Sequence, residues 1–412
     1  MVVPNFDDNN NQTLFNYFDD DYSNRSEYLK ENLSCSNFGI NNGGFLVTDN
    51  HSIIHYASNF YPITLAVPLY GYAMPILFIV TSLTNILVVA VLKQPHMRTS
   101  TNIILLAISL ADLFTIVVPE FMFFYMFTLG HYVHPIYPLP ICYLWTILTD
   151  IFPNLFHTSS IWLTLILAVQ RYIFVCHGYI AKVWCNNRNA YKAIAWIFLI
   201  ASIHQITRIF EYRFDIACVF ENDDIYPVCV ETRANWVRGI ENTYYGIYFW
   251  FRVFFVHLGP CLILVVLNSL LFMALFRAQK TRKRLISDSK SDKKRMDADR
   301  TTMMLIVVVS VFLITEIPLA VISLLHILQS FRIFDIFRQE DYDKVKNFFI
   351  LSNSFIIFMY PVNFGIYCGM SRHFREAFKN LFFRKNSRLC SVDSSRYSTV
   401  NGYKSCTNET IL

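Results

Sequence analysis

Seven long blocks of apolar residues alternate with shorter polar segments along most of the chain. The blocks lie at about 64–92, 102–128, 141–175, 191–211, 244–276, 302–328 and 346–369. A helix needs about 20 apolar residues to cross a hydrocarbon core about 30 Å thick. The pattern therefore predicts an all-α membrane protein, a seven-transmembrane helix bundle. The fourth block is the weakest, because His204, Gln205 and Arg208 interrupt its apolar run.

The composition agrees with a chain that spans a membrane. Of the 412 residues, 54% are hydrophobic and 16% are charged, whereas a soluble domain has about 25% charged residues. This excludes a disordered chain and a nucleic-acid-binding tail protein. The chain has no internal repeat, which argues against an inverted-repeat transporter. We expect no cofactor.

The basic residues predict how the bundle is oriented in the membrane. The segment 1–62 holds two Lys/Arg and eight Asp/Glu, whereas the segment 277–300 holds ten Lys/Arg and the tail after residue 369 holds eight. Basic loops remain on the cytoplasmic side of a membrane. We therefore expect a multi-pass plasma-membrane protein with its N-terminus outside and its C-terminus in the cytoplasm, which an odd number of spans satisfies.

Four glycosylation sequons fall in the segment that charge places outside. Their acceptor residues are Asn11, Asn24, Asn32 and Asn50. Because acceptor sequons lie on the surface of extracellular segments, we expect these four to carry glycans. Their clustering on one side of the predicted membrane agrees with the orientation that the basic residues predict.

Four cysteines lie on the expected outer side, where disulfides form. They are Cys35, Cys142, Cys218 and Cys229. A bond from Cys142, at the start of the third block, to the segment between the fourth and fifth blocks is expected. Four cysteines allow three connectivities, which sequence alone does not separate. We favour Cys142–Cys229, with Cys218 as the alternative partner.

One residue in each apolar block matches a position shared by the rhodopsin-like G-protein-coupled receptors. In chain order these residues are Asn85, Asp112, Arg171, Trp196, Pro260, Pro318 and Pro361. Each match alone is weak, but seven in order resemble that family over about residues 64–384. The resemblance implies a receptor that takes a ligand from outside and activates a heterotrimeric G protein. It implies no enzymatic activity.

Three departures from the family's usual residues narrow this resemblance to one subfamily. Gln170 precedes Arg171 in place of an acid, Glu316 replaces a tryptophan two residues before Pro318, and the seventh block reads YPVNF from Tyr360 to Phe364. The segments HTSSIWLTLILAVQRYIFVCH, YPVNFGIYCGMSRHFREAF and VNGYKSCTNETIL look like the invertebrate sex peptide receptors, also called myoinhibitory peptide receptors. That subfamily implies a short, C-terminally amidated neuropeptide ligand and coupling to Gi/Go. A receptor for a different peptide class is the alternative.

Ionisable residues inside the apolar blocks are candidates for function, because a charge at mid-bilayer costs about 3 kcal/mol on insertion scales. The candidates for contact with the peptide are Glu120, Asp150, Arg252 and Glu316. If Arg252 and Glu316 both face the bundle, they either pair with each other or flank the pocket. We expect His157 and His257 to be satisfied core histidines.

The resemblance assigns further roles deeper in the bundle. Asp112 and Ser160 match positions that bind sodium in many such receptors; a structural Asp112, bonded through water to Asn85, is the alternative. Arg171 and Tyr172 would contact the G protein. Packing or switch roles fall to Trp196, Pro260, Pro318, Tyr360, Pro361 and Phe364. Cys142 and Arg171 are 29 residues apart, about one turn more than the family's pattern.

The segment after the seventh block is predicted to be an amphipathic helix on the membrane surface. Its apolar residues Phe374, Phe378, Leu381 and Phe382 share one helical face, with basic residues off that face. The chain is thus divided into an extracellular tail (1–62), the bundle (63–370), the surface helix (371–384) and a disordered cytoplasmic tail (385–412).

The cytoplasmic tail carries three candidate regulatory features. Cys390 is a candidate for palmitoylation, which would add an anchor to membrane lipid. Phosphorylation of the tail's serines and threonines would recruit arrestin through added negative charge. The terminal Thr410-Ile411-Leu412 fits the groove of a PDZ domain.

Two other classes of membrane protein fit less well. A seven-helix hydrolase with a zinc site needs about three converging ligands, and the intramembrane histidines are scattered, with no His-x-x-x-His pair. A transporter or channel would be expected to carry repeats or paired broken helices. Apart from sodium at Asp112 and Ser160, no metal is expected.

Overall fold

The structure is a computed structural model of the chain. It describes residues 53–54, 61–221, 224–284, 290–330 and 342–383. The four glycosylation candidates, Cys35, Cys390 and the C-terminal Thr410-Ile411-Leu412 lie outside the described residues, and the side chain of Cys218 is not described. The expectations for those residues stay predictions.

The seven predicted spans are confirmed as seven helices that are long and apolar enough to cross a membrane. They are α1 (Ile63–Leu92), α2 (Ser100–Thr128), α3 (Leu139–Cys176), α4 (Asn187–Ile209), α5 (Thr243–Lys280), α6 (Asp299–Gln329) and α7 (Lys344–Met370). The helical backbone of three of them extends beyond these spans, to 241–284 in α5, Lys290–Ser330 in α6 and Tyr342–Met370 in α7. A helix α8 follows at Arg372–Phe382, and short helices lie at Gly178–Trp184 and Asn235–Arg238.

Three of these helices begin at a residue whose side chain caps the first turn. Thr99 accepts a hydrogen bond from the backbone N–H of Asn102 at the start of α2, and Asn186 does the same for Asn189 at the start of α4. Ser371 accepts from Phe374 and so begins α8 directly after α7. A short oxygen-bearing side chain at this position satisfies a backbone donor that the helix itself leaves free.

A small antiparallel sheet, which the sequence analysis did not predict, joins α4 to α5. Its strands are β1 (Ile53–Ile54), β2 (Tyr212–Glu221) and β3 (Asp224–Arg233), in the order β1-β3-β2. Strands β2 and β3 form a hairpin, which we use to name this side of the bundle the hairpin end and the opposite side the α8 end. The Cys142–Cys229 disulfide is confirmed and ties β3 to the start of α3.

The hairpin end is packed with aromatic rings. Tyr61, just before α1, meets the rings of Tyr70, Phe123 and Phe127 edge-on at 5.5–5.9 Å between centroids. Phe123 stacks on Tyr70 at 4.7 Å and meets Trp145 of α3 at 6.2 Å. These contacts join α1, α2 and α3 and stabilise the end of the bundle from which the hairpin extends.

At the α8 end, α8 packs beneath α7. Phe374 is 1% exposed and lies against Tyr367, while Phe364 contacts both Phe374 and Phe378. Arg375 donates hydrogen bonds to the carbonyl oxygens of Cys368 and Gly369 at 3.0 and 2.8 Å, which satisfies carbonyls at the end of α7.

In the part of the chain that the structure describes, four helices contain a π-helical segment in their hairpin-end halves. The segments are Val67–Ala73 in α1, Phe124–Thr128 in α2, Ile147–Ile151 in α3 and Arg252–Leu258 in α5. A π-helical turn takes an extra residue and shifts the helical face on which later residues lie. The segment in α3 falls between Cys142 and Arg171, where the chain is longer than the family's pattern. Such turns are frequent at functional sites.

Candidate functional site

Near the centre of the bundle, α2 and α3 meet through a buried hydrogen bond. Ser160 donates its hydroxyl to Oδ1 of Asp112 at 2.6 Å, and both side chains are buried. They line a cavity of about 30 Å³ together with Thr164, Tyr360 and Asn363. A water molecule occupies about 10–15 Å³ on this measure, so the cavity has room for a hydrated group among oxygen donors.

Asn85, which the alternative links to Asp112 through water, is buried in α1. Its side-chain amide donates to the carbonyl of Thr81 at 3.0 Å, within α1. The oxygen donors around the cavity suit a hard cation such as sodium, which prefers carboxylate, hydroxyl and carbonyl ligands. Among the described residues, no group of three or more His, Cys, Asp or Glu side chains forms a metal site.

A second buried cluster joins α3, α5 and α6. Glu316 has no exposed side-chain surface, and its carboxylate lies 3.2 Å from Nε2 of His157 and 3.5 Å from Nδ1 of His257. The expected alternative, a pair between Arg252 and Glu316, is therefore replaced by contacts with two histidines. We call His157, Glu316 and His257 the histidine–glutamate cluster. A carboxylate buried this deeply needs a positive partner or a proton.

A third cluster lies at the hairpin end and is held by charge-assisted hydrogen bonds. Arg208 of α4 donates to both carboxylate oxygens of Glu211 at 2.8 and 2.7 Å, and to Oδ2 of Asp150 at 2.9 Å. Its guanidinium lies over the rings of Tyr212 and Tyr248. We call Arg208, Glu211 and Asp150 the arginine cluster. Asp150 is thus bonded within the protein rather than exposed to a pocket.

Arg252 is linked to the arginine cluster through one neutral side chain. It donates to Oδ1 of Asn154 at 2.8 Å, and Asn154 donates to Oδ1 of Asp150 at 2.6 Å. Arg252 is only partly buried, so it is not enclosed by the protein as Arg208 is.

Glu120 of α2 differs from the other three predicted ligand contacts. It is 3% exposed, and both of its carboxylate oxygens are buried without a hydrogen-bond partner in the described part of the chain. It lies eight residues after Asp112, which places it about 12 Å closer to the hairpin end. A buried polar group without a partner is rare, and each case calls for an explanation.

At the α8 end, Gln170 replaces the acid that precedes Arg171 in the family. Its amide donates to the hydroxyl of Ser100 at 2.8 Å, which ties α3 to the start of α2. Arg171 lies over the ring of Phe174 at 5.6 Å and has no salt bridge to a carboxylate within the described ranges. Tyr172 packs beside Leu271 of α5 and Ile306 of α6, where these two helices meet α3.

The remaining predicted positions fall in different surroundings. Tyr360 is buried beside the central cavity, and Phe364 packs against α8. Pro318 and Pro361 lie inside α6 and α7, where each removes a backbone donor, and Pro260 lies two residues after the π-helical segment in α5. Trp196 is 63% exposed on the outer surface of the bundle, so it does not pack inside it.

Three polar residues that sequence reasoning did not single out complete these contacts. Glu211 and Asn154 bridge the charged residues described above. Asn268 of α5 donates to the carbonyl of Ile306 and to the hydroxyl of Ser310, both in α6. An asparagine inside an apolar block was the available signal for Asn268. For Glu211 there was none, because it lies at the last residue of its block, after the end of α4.

Comparisons with known proteins agree on one family. The family model described as "Serpentine type 7TM GPCR chemoreceptor Srw" matches residues 72–385. The chain is 42% identical to the Sex peptide receptor of Drosophila melanogaster, over 94% of this chain and 89% of the relative. It is 32% identical to Sex peptide receptor-related protein 2 of Caenorhabditis elegans, over 79% and 74%. It is 28% identical to the FMRFamide receptor of D. melanogaster, over 80% and 56%.

Proposed function

The chain belongs to the seven-transmembrane G-protein-coupled receptors, and we propose that it is a plasma-membrane receptor for a short, C-terminally amidated neuropeptide. The observation that carries the proposal is 42% identity along 94% of the chain to a relative named as a peptide receptor. A further relative is named as a receptor for FMRFamide, an amidated peptide. A myoinhibitory-type peptide is the first candidate, and an FMRFamide-type peptide is the second.

The peptide enters at the hairpin end, which faces outside in this proposal. The basic residues near the α8 end support this orientation through the positive-inside rule. Glu120 and Arg252 are the residues best placed to meet the ligand, since Asp150 and Glu316 already contact basic side chains. The tail, with glycans at its four sequons, lies outside the cell.

Signalling requires a ligand that binds the active arrangement more tightly than the inactive one. We assign the restraint on α6 to the histidine–glutamate cluster, because it joins α6 to α3 and α5 just two residues before Pro318. When the peptide releases α6, the α8 end opens and Arg171 contacts the G protein through its planar donor fork. Tyr172 lies in the same contact. The receptor performs no covalent chemistry.

Several finer assignments complete the proposal. The G protein is of the Gi/Go class. A sodium ion held by Asp112 and Ser160 would favour the inactive arrangement. Arrestin binds the phosphorylated tail, α8 lies on the membrane surface with Cys390 palmitoylated, and a PDZ protein binds Thr410-Ile411-Leu412.

Peptide-evoked G-protein activation in transfected cells tests the function. Amidated myoinhibitory-type and FMRFamide-type peptides are compared with Gi/Go and Gq reporters side by side. We expect a Gi/Go response to a myoinhibitory-type peptide at low concentration. Silence from both peptide groups, with surface expression confirmed, would refute the ligand assignment.

The variant Arg171→Ala tests the G-protein contact separately. We expect it to abolish activation while binding of labelled peptide stays measurable. Signalling that survives at normal surface expression would show that Arg171 does not have this role.

A further inference from the structure

The buried carboxylates at the hairpin end differ in whether a basic side chain or a hydrogen-bond donor contacts them. Asp150 and Glu211 share the guanidinium of Arg208, and Glu316 lies between two histidines. Among the described residues, Glu120 is the buried carboxylate of this end that has neither a basic neighbour nor a hydrogen-bond donor. A protein that leaves such a group without a partner pays the full cost of removing it from water.

A cluster of aromatic rings lies one helical turn from the uncompensated carboxylate along α2. Phe123 lies one turn further along α2 than Glu120 and therefore on a neighbouring part of the same helical face. It stacks on Tyr70 and contacts Trp145 edge-on. We call Glu120, Tyr70, Phe123 and Trp145 the Glu120 site. Electron-rich ring faces attract cations and N–H donors, so the rings and the carboxylate favour the same class of group.

We propose that the Glu120 site binds a nitrogen group of the ligand that donates N–H hydrogen bonds. This rests on the proposed function, which supplies a peptide with two such groups: the terminal carboxamide and the head group of a basic side chain. Either group neutralises or satisfies the carboxylate, whereas a free C-terminal carboxylate is repelled by it. The site thus provides a physical basis for preferring an amidated or basic peptide over an acidic one.

The variant Glu120→Gln tests the proposal, because it keeps the shape of the side chain and removes its charge. Three forms of one active peptide are compared on both receptors: the amide, the free acid, and the amide with its basic residue replaced by alanine. We expect the amide to lose roughly tenfold to a hundredfold in potency on Glu120→Gln, the range for a hydrogen bond to a charged group.

The same comparison separates the two nitrogen groups. If the carboxamide binds Glu120, the free acid loses nothing further on Glu120→Gln, and the difference between amide and acid shrinks. If the basic side chain binds, the alanine-substituted peptide is the one that loses nothing further. Equal potency of every form on both receptors, at equal surface expression, would overturn the proposal.

A measurement on the purified receptor keeps the test independent of peptide identity. Without ligand, Glu120→Gln should raise the midpoint of thermal unfolding by about 3 °C, because it removes an unpaired buried carboxylate. N-acetylarginine amide, which carries both nitrogen groups, should stabilise the unmodified receptor and not Glu120→Gln. A lower midpoint for Glu120→Gln, or equal stabilisation of both receptors by the probe, would overturn the proposal.

The thermal measurement also distinguishes a failure of the proposed function from a failure of the Glu120 site. A receptor that responds to no peptide but shows both thermal effects fails the proposed function and keeps the Glu120 site. The control is Asp215→Asn at the same end of the bundle, where Asp215 is 54% exposed and pairs with Arg213 on the surface. It should change neither potency nor midpoint, since exposed pairs contribute little.

Discussion

The arginine cluster and the histidine–glutamate cluster are both buried and both join several helices, yet they are built differently. Arg208 makes three charge-assisted hydrogen bonds of 2.7–2.9 Å to two carboxylates and lies over two tyrosine rings. Glu316 makes two ion-pair contacts, at 3.2 and 3.5 Å, to histidines whose charge depends on protonation. The first cluster therefore holds its elements far more firmly than the second.

The surroundings of the two clusters match this difference. The arginine cluster fixes the end of α4 and the base of the hairpin to α3, and the Cys142–Cys229 disulfide ties the hairpin to α3 a second time. The histidine–glutamate cluster holds α6 through Glu316, two residues before Pro318, where the helix lacks one backbone hydrogen bond. A receptor needs one end of its bundle to keep its shape while α6 moves. In the proposed mechanism the firm cluster serves as the framework, and the weaker cluster is the contact that we expect to be released.

The largest effect is expected from Arg208→Ala. It leaves the buried carboxylates of Asp150 and Glu211 without their cation, which costs about 3–5 kcal/mol, and we expect loss of surface expression. Arg208→Lys should recover only part of it, because an ammonium cannot reproduce the bidentate fork. Flow cytometry of surface-labelled receptor measures both. The matched control is Arg213→Ala, an exposed pair with Asp215, and normal expression of Arg208→Ala would contradict the framework role.

A smaller effect is expected from Glu316→Gln, which should increase signalling rather than remove the receptor from the cell surface. Removing the charge weakens the contact of α6 with α3 and α5 without creating a cavity, so basal G-protein activation should rise several-fold at matched surface expression. Ser323→Ala is the control on the same helix, since its buried hydroxyl has no hydrogen-bond partner in the described part of the chain. Unchanged or lower basal activity in Glu316→Gln would show that the cluster does not restrain α6.

These two clusters also show which features of the structure can be predicted from the sequence and which cannot. Apolar block length predicted the seven helices, and the amphipathic stripe predicted α8, because both depend on residues close together in the chain. Asp112 and Ser160 were matched by family position, and the structure brings them together at 2.6 Å. The partners of Glu316 and Asp150 were not predictable, because π-helical segments in α3 and α5 shift the helical faces by an unknown amount.

The hairpin was missed for a related reason. Its strands, each ten residues long, lie between two apolar blocks, where the sequence analysis looked only for cysteines, and β3 is tied to α3 by the bond to Cys142. Position in a family pattern was also insufficient for Trp196, which matches a shared position and yet lies exposed on the bundle surface. A match by order along the chain carries no information about what surrounds a side chain.

Within the histidine–glutamate cluster, the two histidines are expected to contribute unequally to the restraint on α6. His157 is nearer to Glu316 than His257, at 3.2 Å against 3.5 Å, so we expect His157 to carry more of the restraint. His157→Asn should raise basal activation about twofold more than His257→Asn, and neither should add to the effect of Glu316→Gln. The three single and two double variants form mutant cycles that measure this coupling. Additive effects of His157→Asn and Glu316→Gln would mean that the two residues act separately.

The smallest expected effect is on the pH dependence of stability, and it comes from Glu231, on β3 near the charges of the arginine cluster. Burial raises its pKa, and together with the nearby carboxylates of Glu211 and Asp150 it brings the pKa to about 8 against the opposing effect of Arg208. In the unfolded chain the pKa of a glutamate is about 4.3, so the folded protein holds a proton that the unfolded chain has lost across this window. Stability from this group is therefore complete below about pH 4 and declines as the pH rises toward 8.

The variant Glu231→Gln carries no titrating group at this position and should remove that part of the pH dependence. The midpoint of thermal unfolding of the purified receptor, measured from pH 5 to pH 8, should fall less steeply for Glu231→Gln than for the unmodified chain. Because Glu231 is only partly buried, solvent screening limits the difference to less than about 1 kcal/mol over the window. An equal fall in the variant and the unmodified chain would mean that Glu231 is held ionised by Arg208 throughout this window, which would make it a third carboxylate of the arginine cluster and extend the framework across the hairpin.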